Sequence, residues 1–509
     1  MVKMAIQKRR FPKSLKTSKI IPLFKGGTLN PSEPKSFRPV NILCSLSKIL
    51  EKVIFTQIQA HFDNKGVIPS NHHGSRRNHS TTTAIIELYE NMLDAYENGE
   101  ISSMIALDQS QAYDLIDHQI ILQRLKIVGA DKPTCDLMAS YFEGRDQYVY
   151  IETKSSDRLV NEPCSVIQGS IGSCLMYALA TADLPASIHR GHAHTSKQEA
   201  DCPSGRITTF VDDSTNIIKA RDVPNLQHHS QQTVLITKDY LTSNKMVINM
   251  PKTQFMVTGQ PRGRNEVVTI NIEGTEIQSQ HTMKILGVVL SDDRTWSRHV
   301  SYLIKSVQPQ IMAIRRMARV GSVKTVAMVA RATIISKLTY AIQVWGGTTV
   351  ENRRRIQVVI NQTARMILRP TSYRLPTPQL MKLLNWQSID QLVQIHTLNL
   401  ATNVAHTSQP AEIHTRLSRF RQQITRNGDE TTRILPSWRK VKSLWSFLPR
   451  AIQLLNGCPV TIKNTQSKIK RKKQIKSYIM ENGSYYVTPI GTQLRGGNTL
   501  MGVGSYQTG

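Results

Sequence analysis

Residues 207–218 read Ile-Thr-Thr-Phe-Val-Asp-Asp-Ser-Thr-Asn-Ile-Ile. Two strand-forming runs flank an acidic pair, which predicts strands over 207–211 and 214–218 with Asp212 and Asp213 at the bend between them. Upstream, Met104-Ile105-Ala106-Leu107 is a short apolar run that stops at Asp108, the pattern of a buried strand carrying a carboxylate at its C-terminal tip. Either feature alone is ordinary, since acidic pairs suit turns. Their combination says more, because like charges drawn together repel unless cations neutralise them. Three converging carboxylates suit Mg²⁺, a hard ion that binds through carboxylates and substrate phosphates. Two such ions about 4 Å apart activate a 3′-hydroxyl and stabilise a departing pyrophosphate.

Outward from these carboxylates, 20–24 reads as a short strand followed by a Lys25-Gly26-Gly27 loop. A helix is predicted over 47–61, with Ser47 as N-cap and Gly66 beyond its end. A second spans 80–98, with Ile85, Leu88, Met92 and Tyr96 along one stripe and Gly99 past the stop. Asp117 is placed to cap a third, where Ile120, Ile121, Leu125 and Val128 repeat at helical spacing. Further strands are expected at 148–151, 255–257 and 285–290. Strands interleaved with helices predict an α+β sheet domain over about 100–290. Beyond 298 the chain reads as helical, and after Gly483 as a loose Gly-, Thr- and Ser-rich tail.

Charge separates the two halves of the 509-residue chain, whose formal net charge is +29. Residues 1–300 hold 34 basic and 30 acidic side chains, whereas residues 301–509 hold 31 and 6. Such an excess attracts a polyanion by counterion release, which makes nucleic acid the expected partner. Lys468, Lys470, Arg471, Lys472 and Lys473 are the densest candidates for that contact. With 39% hydrophobic and 20% charged residues, the composition is that of a globular protein and excludes wholesale disorder. The sequence has no apolar stretch of membrane-spanning length and no signal peptide, and its six cysteines are scattered. We therefore expect no membrane partner and an intracellular setting, cytoplasm and nucleus.

Seven short motifs follow one another in order. They are Ser36-Phe37-Arg38-Pro39-Val40, His73-Gly74-Ser75-Arg76, Leu107-Asp108 with Tyr113-Asp114 and Asp117-His118, Gln168-Gly169-Ser170, Phe210-Val211-Asp212-Asp213, Asn249-Met250-Pro251-Lys252-Thr253, and Ile285-Leu286-Gly287-Val288. On these residues the chain, from about position 10 to about position 370, resembles the reverse transcriptase of non-LTR (LINE-type) retrotransposons.

The resemblance implies an α+β right-hand polymerase. Fingers would lie in 1–100, a palm with some fingers elements in 101–290, a thumb-like helical region in 291–370 and a basic helical extension in 371–509. It implies RNA-directed DNA synthesis with two Mg²⁺ ions (Mn²⁺ as an alternative), dNTPs, an RNA template and a DNA primer or target. Asp108, Asp212 and Asp213 would be catalytic metal ligands. Lys252 would be the acid that protonates pyrophosphate. Tyr113 would exclude a ribose 2′-hydroxyl, Gln168 and Gly169 would line the nucleotide pocket, and Arg38 and Lys25 would pair with the triphosphate. Asp114 and Asp117 would serve structure.

The chain departs from the family pattern at three places. Val211 replaces a usual Ala at an expected small cost. Ser173-Cys174 stands where Gly-Pro is usual, with Gly172 expected to supply flexibility one residue earlier. Ser75 replaces a Phe. Further on, Phe447–Asn456, with Pro449-Arg450, resembles the family's C-terminal stretch, for which a role in template or RNA handling is expected. A His/Cys-rich stretch, His189, His192, His194 and Cys202, matches no familiar zinc spacing and reads as a solvated polar loop. The chain reads as one portion of a longer product, with endonuclease activity supplied by a missing segment or another protein. The rival readings are an inactive, element-derived nucleic-acid binder and an RNA-dependent RNA polymerase, against which the bulky Tyr113 speaks.

Overall fold

Four antiparallel strands form the sheet that carries the acidic residues, in the order Gln254–Thr258, Ile101–Leu107, Asp213–Ala220, Arg206–Phe210. The structure is a computed structural model and describes residues 1–27, 29–160, 164–195, 206–260, 266–369, 375–418, 443 and 445–482. Ile101–Leu107 is central and buried along nearly its whole length, which is why its sequence is apolar or small rather than alternating. The helices Thr81–Asn98 and Val223–Ser243 pack on this sheet. Hydrogen bonds between Ser103 Oγ and Ser230 Oγ (2.7 Å) and between Ser102 Oγ and Thr258 Oγ1 (2.9 Å) satisfy the buried hydroxyls.

A second sheet joins Phe37–Leu43, Ser18–Phe24 and Asp146–Ile151, the last pairing parallel to Ser18–Phe24. The helix Ser45–Lys65 follows it and buries Leu50, Ile54, Ile58 and Phe62. Gly66 ends this helix in the left-handed conformation, where a side chain would be strained. Ser80 caps Thr81–Asn98 through a capping box, and Asp117 caps His118–Ile127.

Three sequence expectations are corrected. The helix begins at Ser45 after Cys44, and Ser47 lies buried inside its first turn; packing of the turn outweighs the capping preference of serine. The run 285–290 is not one strand but a hairpin, Thr282–Ile285 against Val288–Ser291. Its two-residue turn has φ 46° at Leu286 and 84° at Gly287, as tight hairpins require. The histidine-rich stretch is helical rather than a solvated loop: His189, His192 and His194 lie on Leu184–Thr195. His192 is buried with its ring 2.9 Å from Thr233 Oγ1, because the helix packs on Val223–Ser243. Cys202 and the tail after Gly483 lie outside the described residues.

The chain divides into two compact units, 1–293 with 410–412, and 294–409 with 413–509. In the second, the described elements from Ser297 onward are helices. Ile389–Thr407 packs against Phe447–Gly457 and Lys468–Glu481, around a core that includes Trp345, Ile356, Ile360, Leu398, Ile452 and Ile475. No helix among the described residues is long and apolar enough to cross a membrane.

Candidate active site

The pairing of Ile101–Leu107 with Asp213–Ala220 sets Leu107 opposite Ser214. One step further along both strands brings Asp108 and Asp213 to the same end of the sheet, with Asp212 in the adjoining turn. Burial and mutual charge then act together. Asp213 is pushed up to about 6 by desolvation, by Asp212 and by Asp108. Asp212 is raised by desolvation and by Asp108, while its backbone hydrogen bond and Arg38 act in the opposite direction. The register therefore unites the three carboxylates expected from sequence, and Arg38, from the other sheet, lies close enough for its charge to act on Asp212.

Asp212 sits in a two-residue hairpin turn closed by the Phe210–Asp213 pair, and Val211 there has φ 59°. A β-branched residue at positive φ is strained by about 1–3 kcal/mol, so Val211 is costlier than its small apolar side chain suggested. What holds the turn is the segment 71–73. Thr209 N donates to Asn71 O (3.0 Å), His73 N donates to Thr209 O (2.8 Å), and the His72 ring meets Thr209 Oγ1 at 2.8 Å. Gly74 then passes so close that a Cβ on it would lie 2.6 Å from the Val211 backbone nitrogen. The His73-Gly74 motif thus braces the acidic turn.

Lys252 Nζ lies 3.4 Å from Asp108 Oδ2. The turn that carries it is tied to the same residue, since Asn249 N donates to Asp108 O at 2.8 Å. Tyr113 is half-buried, its hydroxyl 3.2 Å from Cys174 Sγ and its ring beside Tyr177; burial pushes its phenol upward. Gln168 O accepts from Asn41 N (3.1 Å). Gly169 has φ 115°, and a Cβ there would stand 2.6 Å from Asn41 O, so only glycine fits. Asn41 and Arg38 share the strand Phe37–Leu43, which brings the Gln168 loop beside the candidate triphosphate cation.

Gly172 does not supply flexibility. It adopts an ordinary helical conformation at the start of Ser173–Ala180, and glycine is needed because a Cβ would overlap the Phe55 ring. Lys25 is turned to its own loop, Nζ donating to Lys35 O at 2.7 Å. Asp117 caps its helix and pairs with Lys245. Asp114 is raised by burial alone.

In the second unit Lys468, Lys470, Lys472 and Lys473 are exposed on the Lys468–Glu481 helix. Arg471 is buried and donates to Thr465 O at 2.6 Å. Arg450 is likewise buried, bonding Gln343 O (2.6 Å) and Ser446 O (3.0 Å), so its side chain fastens backbone.

Sequence reasoning missed two supports of the site. Gln109 accepts from Tyr177 Oη (2.6 Å) and reaches the Asp212 carbonyl at 3.5 Å; its place directly after Asp108 was the available signal. Glu51 bonds the loop after Gln168, and nothing in its helical setting marked it.

The oxygen-only donor set of Asp108, Asp212 and Asp213 fits hard divalent cations. Among the described residues, no three His, Cys, Asp or Glu side chains are gathered closely enough to enclose an ion as they stand.

An antiparallel sheet ending in three aspartates, with a lysine, an arginine and a tyrosine nearby, is the arrangement expected of a polymerase palm. The chain belongs to the reverse transcriptase (RNA-dependent DNA polymerase) family, which matches residues 25–290. It is similar to the probable RNA-directed DNA polymerase from transposon BS of Drosophila melanogaster, at 25% identity over 391 residues, 76% of this chain and 42% of that protein. It is also similar to the RNA-directed DNA polymerase from mobile element jockey of Drosophila funebris, at 27% identity over 361 residues, 70% of this chain and 38% of that protein. Both relatives are named as RNA-directed DNA polymerases of mobile elements, and the chain spans about two fifths of their length. Among solved structures, telomerase from Candida tropicalis aligns at 12% identity and TM-score 0.38, covering 79% of this chain and 68% of that one. The fold class is the α+β right-hand polymerase expected from sequence, and a reverse transcriptase domain works with a divalent metal cofactor.

Proposed function

We propose that this chain is the polymerase portion of a non-LTR retrotransposon product, extending a primer 3′-hydroxyl with dNTPs on an RNA template. The observation that carries the reading is the register that sets Asp108 beside Asp212 and Asp213, where burial and the neighbouring carboxylates raise the proton affinity of Asp212 and Asp213. Asp108, Asp212 and Asp213 are the residues that would hold two Mg²⁺ ions, or Mn²⁺. Cations there would neutralise phosphate charge and make the 3′-hydroxyl more acidic.

The remaining steps belong to the chain's own side chains. Arg38 pairs with the triphosphate, and Gln168 and Gly169 line the nucleotide site. Tyr113 closes the side of the pocket where a ribose 2′-hydroxyl would project. Lys252 passes an Nζ proton to the pyrophosphate oxygen as the P–O bond breaks, and its contact with Asp108 keeps it at the site. Lys25, bound to its own loop, has the weakest claim to the triphosphate.

We assign fingers to 1–100, palm with some fingers elements to 101–290, thumb to 291–370 and a basic extension to 371–509. Lys468, Lys470, Lys472 and Lys473 contact the nucleic-acid backbone. Endonuclease activity comes from another segment or protein.

Primer extension on poly(rA)·oligo(dT) with dTTP tests the reading. Wild type should incorporate dTTP, and Asp212→Asn should reduce incorporation by at least about 10³-fold. Incorporation unaffected by the substitution would sink the metal assignment. RNA binding without any incorporation would favour the inactive binder, and preference for UTP would favour an RNA polymerase.

A further inference from the structure

Glu51 is a fully buried carboxylate that no step above uses. It lies on the Ser45–Lys65 helix among Leu50, Ile54 and Phe55, yet it faces three donors. Tyr141 Oη donates to Oε1 (3.1 Å), while Ser170 Oγ (3.1 Å) and Ile171 N (3.0 Å) donate to Oε2. Arg145, also buried, places Nη2 4.0 Å from Oε1. Its guanidinium lies over the Tyr141 ring at 4.1 Å and donates from Nε to Tyr141 O at 2.7 Å.

Burying this ion pair is a poor way to gain stability, since apolar residues of similar volume commonly do as well or better. The cluster does give definite geometry. Ser170 and Ile171 directly follow Gln168 and Gly169, which are held on their other side by Asn41 through the 3.1 Å bond to Gln168 O. The loop is therefore gripped at both ends, by a strand on one side and by one carboxylate on the other.

We propose that Glu51 is a positioning residue for the incoming nucleotide, holding the Gln168–Gly169 backbone at the pocket through Ser170 and Ile171. The proposal rests on the reading of 168–169 as part of the nucleotide site. A carboxylate suits the place because all three neighbours can donate and it can only accept. Glutamine retains an oxygen for Ser170 and Ile171 if the Tyr141 hydroxyl turns to accept from its amide. Alanine removes the grip altogether.

The test uses the full chain and dTTP titrations on poly(rA)·oligo(dT), with amide hydrogen exchange as a measurement independent of turnover. Glu51→Ala should raise KM for dTTP by about tenfold or more while kcat falls by less than about threefold, because a misplaced pocket weakens binding before it stops chemistry. Ser170→Ala, losing the bond to Glu51 and the hydroxyl's contacts with Tyr141 Oη and Gly172 N, should raise KM about threefold, and Glu51→Gln should restore KM to within about threefold of wild type. The Ile171 amide should exchange at least about tenfold faster in Glu51→Ala and near the wild-type rate in Glu51→Gln. A fall in kcat with KM unchanged would mean simple loss of folded enzyme and would overturn the proposal. Unchanged exchange at Ile171 would overturn it as well. If Glu51→Ala does not fold, an unchanged KM in Ser170→Ala overturns it. Should wild type incorporate no dTTP, the polymerase reading fails separately, and the exchange result still decides whether Glu51 holds the loop.

Discussion

Tyr113 shows how one contact can tune the site. Its hydroxyl meets Cys174 Sγ at 3.2 Å, and Cys174 occupies a place where the family usually has proline. The tyrosine proposed as the gate thus meets a residue that departs from the pattern. Cys174→Ala should lower discrimination between dTTP and UTP by about three- to tenfold, the equivalent of one hydrogen bond of about 1 kcal/mol. Tyr113→Ala should lower it much further. The ratio of kcat/KM values for the two nucleotides measures both, and an unchanged ratio in Cys174→Ala would mean the thiol plays no part in aiming the ring. At this scale the metal-ligand candidates were legible because their motifs fix residue types in order. Glu51 was not, because a glutamate on a helix is usually solvated and only the packed structure shows which neighbours it meets.

The element that decides the site is the hairpin Arg206–Phe210 and Asp213–Ala220. Its turn carries Val211 at φ 59°, a conformation that persists only if the surroundings impose it. The imposing element is 71–74, hydrogen-bonded along Thr209 and packed by Gly74 on Val211. Gly74→Ala should therefore destabilise the protein by about 1–3 kcal/mol and lower dTTP incorporation disproportionately. Thermal melts read the first effect, and incorporation per folded molecule reads the second. Wild-type activity in Gly74→Ala would mean the turn keeps its shape unaided. The strands of this hairpin were evident from composition, but its brace lies more than a hundred residues away in sequence, and no local pattern marks such a partner. The Leu286-Gly287 turn was hidden for a different reason. An apolar run with one glycine reads equally as a strand or as two strands folded back.

Across the whole molecule, charge and buried histidines set the response to solution conditions. RNA affinity should fall steeply with salt, with a slope of about 0.7–0.9 per phosphate neutralised. Replacing Lys468, Lys470, Lys472 and Lys473 by alanine should make that slope shallower, whereas Asp108→Ala should leave it unchanged. Filter binding across a salt series reads both, and a flat response would remove the electrostatic grip. Desolvation holds His72 down at about 3, and His79, His192 and His299 at about 4. The unfolded chain takes up protons as pH falls through about 6.5 while these folded sites stay neutral. Stability contributed at neutral pH should therefore decline between about 6.5 and 4. Asp213 works the other way, its raised value favouring the folded state as pH falls through about 6. Melting temperature should drop from pH 7 to pH 5, and His72→Gln should lessen the drop.

The sequence by itself determined most of the strands and helices, the family motifs and the partition of charge, because each is written in residue type and spacing along a continuous segment. Tertiary structure alone decided that Asp108 stands beside Asp213, that Glu51 holds the Gln168 loop, and that Arg471 and Arg450 are buried fasteners. Those outcomes depend on strand register and close packing between distant segments, where a shift of one residue would turn every side chain to the opposite face.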